Sequence, residues 1–332
     1  MRSNPREAII YDTYVQALQN DEQFDRALQI LKQAEQQIPA RRENFQAKRV
    51  QIEKQKKFSR EMTAAPSWDK ARIFASSEFV MQTNIPQTYL PVVTQKIRGI
   101  LKKEQEMLKG ILGPSDSMIS GMKFIVIGRP HDYLIFMKEK YHDDTGLVAG
   151  LYDEQARQMI IYFDGSADWK VIAHEMVHAL IRELYYPKPS HFVDEGLAEY
   201  VSHKIEKESM KSELLDKLEY SMWLYHQGKF QDVSDLFTVW KKYERPSSFV
   251  GQEKTSRQFY LIAWSFNELF IETKDEMIRK FYRGYLAYEQ SRSYNDWRSA
   301  SDYFKAHLSP DQMNKLNKAW TNFLFERTYE SI

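Results

Sequence analysis

Residues 167–184 read ADWKVIAHEMVHALIREL, and this stretch decides how the rest of the chain is understood. Val171, Ile172, Met176, Val177, Ala179 and Leu180 recur at helical spacing and clothe most of the helix in apolar side chains, so it is expected to be buried. Within it His174, Glu175 and His178 form H-E-x-x-H. Four residues of α-helix advance about 6 Å and return to nearly the same face. Both imidazoles therefore reach one ion, while Glu175, about 100° further round, faces the ion's open coordination position. The apolar neighbours dry the site and support the ligands.

A second stretch, PSHFVDEGLAEYVSHK at 189–204, supplies the next candidate. Glu195 lies seventeen positions after His178, where a third zinc ligand is expected, at the start of another predicted helix. Asp194 is expected to cap that helix, and Gly196 to let its backbone approach the first helix closely. Glu195 and Glu199 share one face at i, i+4. His191 and Asp194 remain alternative third ligands on the residue types alone.

The flanking sequence places these helices in an α+β context. SSEFVMQTN at 76–84 and MKFIVIG at 122–128 read as strands, separated by a long amphipathic helix over 88–112 that stops at Gly113-Pro114. TGLVAGLYD at 145–153 and QMIIYFD at 158–164 read as an antiparallel hairpin. His131 and His142 fall in polar loops, and the acidic run after His142 reads as a turn into the hairpin. Beyond about residue 204 the pattern is helical, with segments near 206–226, 232–242, 254–272, 274–289 and 309–327. His203, His226 and His307 sit singly on helices as surface or packing residues.

The amino-terminal stretch has apolar residues at helical steps from Tyr14 to Ile38, broken at Asn20-Asp21 and Pro39, and reads as a helical hairpin. FDRALQILKQAEQQIP at 24–39 resembles the second helix of a tetratricopeptide-like unit, but no second copy follows at the required period. Residues 41–60 are rich in Lys and Arg, and their apolar members Phe45, Val50, Ile52 and Phe58 make a poor stripe. A solvated helix face accounts for them better than a nucleic-acid site.

H-E-x-x-H followed by E-G-x-A-E-Y resembles the gluzincin metallopeptidases, specifically the peptidase MA-like domains. The resemblance spans about residues 72–290, with sharp motifs only at 174–200. It implies that His174 and His178 ligate one zinc ion, that Glu195 is the third ligand and that Glu175 is the general base. It also implies that Glu199 supports the first histidine from outside the metal's immediate ligands. The edge strand that holds extended substrate in that family maps onto Leu147 to Tyr152, with Val148, Ala149 and Gly150 as the substrate-binding residues. GKFQDVSDLF at 228–237 and FYLIAWSFNELF at 259–270 resemble the family's later helices. The metzincin extension is excluded, because Ile181 and Leu184 stand where it needs Gly and His.

Zinc with three protein ligands leaves one position for a water whose pKa falls towards about 7, and Glu175 takes the proton as that water attacks a polarised carbonyl. An oxyanion develops and needs a further donor. Tyr260 is the candidate, with a packed helical aromatic as the competing reading; Tyr200 reads as packing.

Composition bounds the alternatives. In 332 residues, 47 Lys and Arg nearly cancel 46 Asp and Glu, so no global field draws the chain to nucleic acid or an anionic membrane. The absence of cysteine removes disulfides, thiolate metal sites and thiol nucleophiles. No apolar run approaches the roughly 18 residues of a membrane span, and the amino terminus lacks the apolar core of a signal peptide, leaving the compartment undecided. The expected organisation is a helical appendage over 1–65, a zincin-like α+β catalytic part over 66–205 and a helical part over 206–332 that closes the cleft. The expected partner is a peptide or protein substrate. The competing function is a metallopeptidase-like interaction protein whose amino-terminal helices dock a protein partner.

Overall fold

The computed structural model describes residues 5–113, 122–142, 149–185, 189–206, 253–291 and 300–330. The chain is α+β and mostly helical, with one five-stranded mixed sheet. The strands are β1 (Arg72–Ala75), β2 (Phe79–Thr83), β3 (Met122–Ile127), β4 (Gly150–Asp153) and β5 (Gln158–Tyr162), in the spatial order β1-β2-β3-β5-β4. The expected strands at 76–84 and 122–128 are β2 and β3. The hairpin is β4 and β5, which leaves β4 at a sheet edge. Val148 lies outside the described residues.

Three helices, and not a single hairpin, form the amino-terminal stretch: α1 (Pro5–Asn20), α2 (Phe24–Gln37) and α3 (Arg42–Met62). The first break is where it was expected, and Glu22 there takes the left-handed conformation with φ 56°. Pro39 opens a short 3-10 turn before α3. The helices share a core of Val15, Leu18, Ala27, Leu31, Ala34, Ile38, Phe45 and Ile52. The poor stripe of α3 is thereby corrected: Phe45, Ile52, Phe58 and Met62 line one buried face, and Val50, 57% exposed, does not belong to it.

Two further elements escape the sequence pattern. β1 pairs antiparallel with β2, Arg72 opposite Thr83 and Ala75 opposite Val80, yet Ile73 is 74% exposed, so no alternation marks the strand. Helix α5 (Pro130–Tyr141) buries Tyr133 and Met137 at i, i+4 while leaving Leu134 and Ile135 exposed, which blurs its apolar face. His131 therefore sits in the first turn of a helix and not in a loop. His142 closes that helix in the left-handed conformation, φ 54°. Tyr133 and Met137 join Ile125, Ile127 and Ile160 in a second core.

The long helix α4 (Leu90–Leu112) matches its expectation within two residues. The motif helices are α6 (Trp169–Leu184) and α7 (His191–Ile205), followed by α8 (Glu253–Glu272), α9 (Glu276–Ser291), α10 (Ala300–His307) and α11 (Pro310–Glu330). The helices expected near 206–226 and 232–242, and His226 with them, lie outside the described residues. The chain gathers into two compact units. One is drawn from Met1–Gln95, Lys123–Leu151 and Ile160–Asp168, the other from Lys96–Met122, Tyr152–Met159 and Trp169–Ile332. Among the described residues no helix is long and apolar enough to cross a membrane.

Glu104 of α4 is fully buried, and neither carboxyl oxygen has a hydrogen-bond partner. Burial pushes its pKa well above the usual carboxyl value. As pH rises past the unfolded-state pKa, the unfolded chain releases this proton while the folded chain keeps it, so stability falls up to the raised folded pKa. Glu104→Met is expected to stabilise the fold at neutral pH by roughly 1–3 kcal/mol, the cost of one unsatisfied buried polar group. The gain should shrink towards pH 4. Denaturant melts at the two pH values read this, and an equal or larger gain in acid would refute it.

Candidate metal centre

Helix α6 is buried on nearly every side: Ile172, Ala173, Met176, Val177, Ala179, Leu180 and Ile181 are all inaccessible to solvent. His174, Glu175 and His178 keep partial exposure, so the one accessible strip of the helix carries the polar motif. Helix α7 is buried without a break from Phe192 to His203, polar residues included. It packs against both α6 and α8.

The two helices bring His174, His178 and Glu195 into one cluster. The Nε2 atoms of the histidines are 3.1 Å apart. Glu195 Oε2 lies 3.2 Å from His174 Nε2 and 3.4 Å from His178 Nε2. Three ligands at zinc's usual bond lengths of about 2.0–2.2 Å in tetrahedral array stand roughly 3.3–3.5 Å from one another, close to this triangle. Glu195 is 7% exposed, and its Oε2 is buried with no satisfactory hydrogen bond. The donor set of two imidazoles and a carboxylate suits zinc.

The opposite ring nitrogens are already engaged. His178 Nδ1 lies 2.9 Å from Asp194 Oδ1, and His174 Nδ1 lies 3.5 Å from Glu199 Oε1. A carboxylate on Nδ1 holds the proton there and turns the Nε2 lone pair inward. Two inward lone pairs and a carboxylate oxygen repel unless positive charge lies between them. Electrostatics say the same: burial opposes charging His178, but Asp194 and Glu195 outweigh it and push its pKa well up. Burial likewise opposes ionising Glu195, yet His178 and His174 hold its pKa well below the usual carboxyl range.

Glu175 projects from the same turn of α6, and its Oε2 accepts a hydrogen bond from the backbone N–H of Tyr152 in β4 at 3.1 Å. The hairpin tip is tied to the far end of α6 by Arg157, whose Nε donates to Glu183 at 2.6 Å, and by an Arg182–Glu154 ion pair. Tyr162 N donates to Ala149 O at 3.2 Å, so alternate residues Gly150 and Tyr152 turn their amides away from β5, to the side where no described strand pairs. Tyr260 of α8 meets the His174 ring edge-on, centroids 6.4 Å apart. Burial, then the carboxylates of Glu195 and Glu175, raise its pKa, so its hydroxyl stays a donor.

Comparison with protein-family models gives no match to this chain. Comparison with curated proteins gives none either.

Several expectations are corrected by the packing. Asp194 does not cap α7: Ser190 holds that position, and Asp194 lies one turn inside, on His178. Gly196 faces α8, not α6. A Cβ there would come 2.0 Å from Asn267 Nδ2 and 2.5 Å from the Ala263 carbonyl oxygen. His191 Nδ1 lies 3.4 Å from the other Glu195 oxygen, Oε1, and therefore outside the triangle. Tyr200 is a packing residue, as read, with its hydroxyl donating to Glu272 at 3.2 Å. His203 is buried and stacks on Trp264, centroids 5.6 Å apart, and His307 stacks on Tyr303.

Sequence reading missed the residues that hold α7 in place. Glu289 of α9 accepts from Ser190 N at 2.6 Å, and Tyr285 OH lies 3.2 Å from Ser190 Oγ. Asn267 donates to Ala263 O at 2.7 Å and accepts from Tyr282 OH at 2.6 Å. Nothing in the local sequence signals either network, because the bonds that join one helix to another link residues 15 to 99 positions apart.

Proposed function

We propose that this chain is a zinc-dependent peptidase of the gluzincin type, with a zincin-like arrangement of mixed sheet and motif helix. The observation that carries the proposal is the inward triangle of His174 Nε2, His178 Nε2 and Glu195 Oε2, each imidazole backed by a carboxylate. One zinc ion held by these residues would supply a Lewis acid and lower the pKa of a water at its fourth position.

The chain's own groups do the rest. Glu175, on the accessible strip of α6, takes the proton of the attacking water and later returns it to the leaving amine. Tyr260, kept protonated by burial and then by the carboxylates around it, donates to the oxyanion. The β4 edge, which pairs with no further strand among the described residues, runs past Glu175, whose carboxylate holds the Tyr152 N–H, so an extended peptide would add to it through the remaining main-chain groups. Ala149 and Gly150 begin that edge. Glu199 and Asp194 fix the imidazole orientations.

A broad peptide-library digest with and without chelator tests the proposal. Cleavage should vanish on chelation and return with one equivalent of zinc. A zinc-loaded protein without chelator-sensitive cleavage would instead favour a scaffold that docks a partner through α1–α3.

A further inference from the structure

Helices α1 and α3 and the segment that follows β5 line a cavity of about 180 Å³ that opens to the surface. Gln19, Lys48, Gln51, Gln55, Asp164 and Asp168 are among its walls. All belong to the unit that does not contain the metal centre. At roughly 30 Å³ per water, the space holds about six waters or the head and short stem of an organic ion.

Hydrogen bonds run in one direction through the wall. Gln19 Nε2 donates to Gln55 Oε1 at 2.7 Å, and Gln55 Nε2 donates in turn to Asp164 Oδ2. The other Asp164 oxygen receives Ser166 N at 3.0 Å and Ser166 Oγ at 3.3 Å. Reversing the amides would set Gln55 Oε1 against the Asp164 carboxylate, so an ionised Asp164 dictates the order. In these bonds the Gln19 and Gln55 amides and Ser166 aim donors along the wall, and the Lys48 ammonium, which also lines the cavity, is engaged by Asp12 at 3.0 Å.

What remains is acceptor capacity. Gln19 is 9% exposed, and its Oε1 is buried with no hydrogen-bond partner. Asp164 keeps about one lone-pair site beyond its three bonds, and no Lys or Arg among the described residues pairs with it. Burial raises the Asp164 pKa, and burial, then Asp164 and Glu22, raise that of the Tyr162 hydroxyl beside the cavity. A ligand that completes the wall must donate hydrogen bonds and carry positive charge. The acceptors come from separate elements on either side of Gln55, an arrangement that suits a compact ammonium with three divergent donors better than a planar guanidinium.

We propose that this cavity binds a primary ammonium group carried on a short aliphatic chain. The group comes either from a free amine or from a lysine side chain of another polypeptide. The site is independent of the metal centre and stands whether or not the chain is a peptidase.

Calorimetric titration of the full chain tests it with cadaverine, Nα-acetyl-lysine methylamide and, as the neutral control, Nα,Nε-diacetyl-lysine methylamide. The ammonium probes should bind and the diacetylated control should not; binding of cadaverine alone assigns the site to free amines, and of the lysine derivative alone to a protein side chain. Asp164→Asn should weaken binding at least tenfold. Gln51→Lys, at an exposed position of α3, should abolish it by tethering an ammonium at the mouth, and it keeps the test valid if Asp164→Asn does not fold. No binding of either ammonium probe, equal binding of the diacetylated control, or full affinity in Gln51→Lys would overturn the proposal.

Discussion

Glu175→Gln is expected to retain its metal and its fold while peptide cleavage falls by roughly 10²–10⁴-fold, the usual contribution of a positioned general base. The substitution is nearly isosteric. The Gln side-chain oxygen can still accept from Tyr152 N–H, which Glu175 now does at 3.1 Å, so the relation between β4 and α6 is preserved. What disappears is the carboxylate that receives a proton. Metal content by mass spectrometry and a thermal melt, both unchanged, would locate the defect in chemistry. Wild-type cleavage rates in the variant would remove Glu175 from the mechanism.

The second large effect is on metal retention. Glu195→Ala removes one corner of the triangle and leaves two histidine nitrogens 3.1 Å apart without the carboxylate that balances the cation's charge. Zinc affinity should drop by more than the roughly 10–100-fold that loss of an outer supporting residue costs. Glu199→Ala, which removes only the carboxylate behind His174, sets that smaller scale in the same assay. Asp194 is poorly placed to substitute, because its Oδ1 already lies 2.9 Å from His178 Nδ1. Undiminished zinc in Glu195→Ala would move the third ligand to His191 or Asp194.

Much of the fold was legible because it rests on local periodicity. The apolar steps of α6, the stop of α4 at Gly113 and the paired runs that became β4 and β5 each state a structure within a dozen or so residues. Where apolar residues face solvent the signal fails. Ile73 hid β1, Leu134 and Ile135 blurred α5, and Val50 disguised the buried stripe of α3. These side chains are apolar but not buried, and a pattern read from letters has no means of separating the two.

The site divides along the same line. His174, Glu175 and His178 are legible because one helical turn carries all three and its geometry is known in advance. Glu195 was found by its distance along the chain from the first helix, a weaker cue. Asp194 was misplaced because an aspartate near a helix start is ordinarily a cap. Its actual place against His178 depends on Ser190 starting the helix four residues earlier, which Glu289 and Tyr285 secure from α9.

The sequence by itself determined that two imidazoles and a carboxylate share the exposed strip of an otherwise apolar helix, since helical geometry is set by neighbours in the chain. Tertiary structure alone decided that Glu195 meets them, that Asp194 and Glu199 stand behind them, and that Tyr152 presents its amide to Glu175. Those relations depend on how α7 lies against α6 and α8. That in turn is settled by buried contacts such as Gly196 against Asn267, between residues 71 positions apart, whose pairing no local pattern encodes.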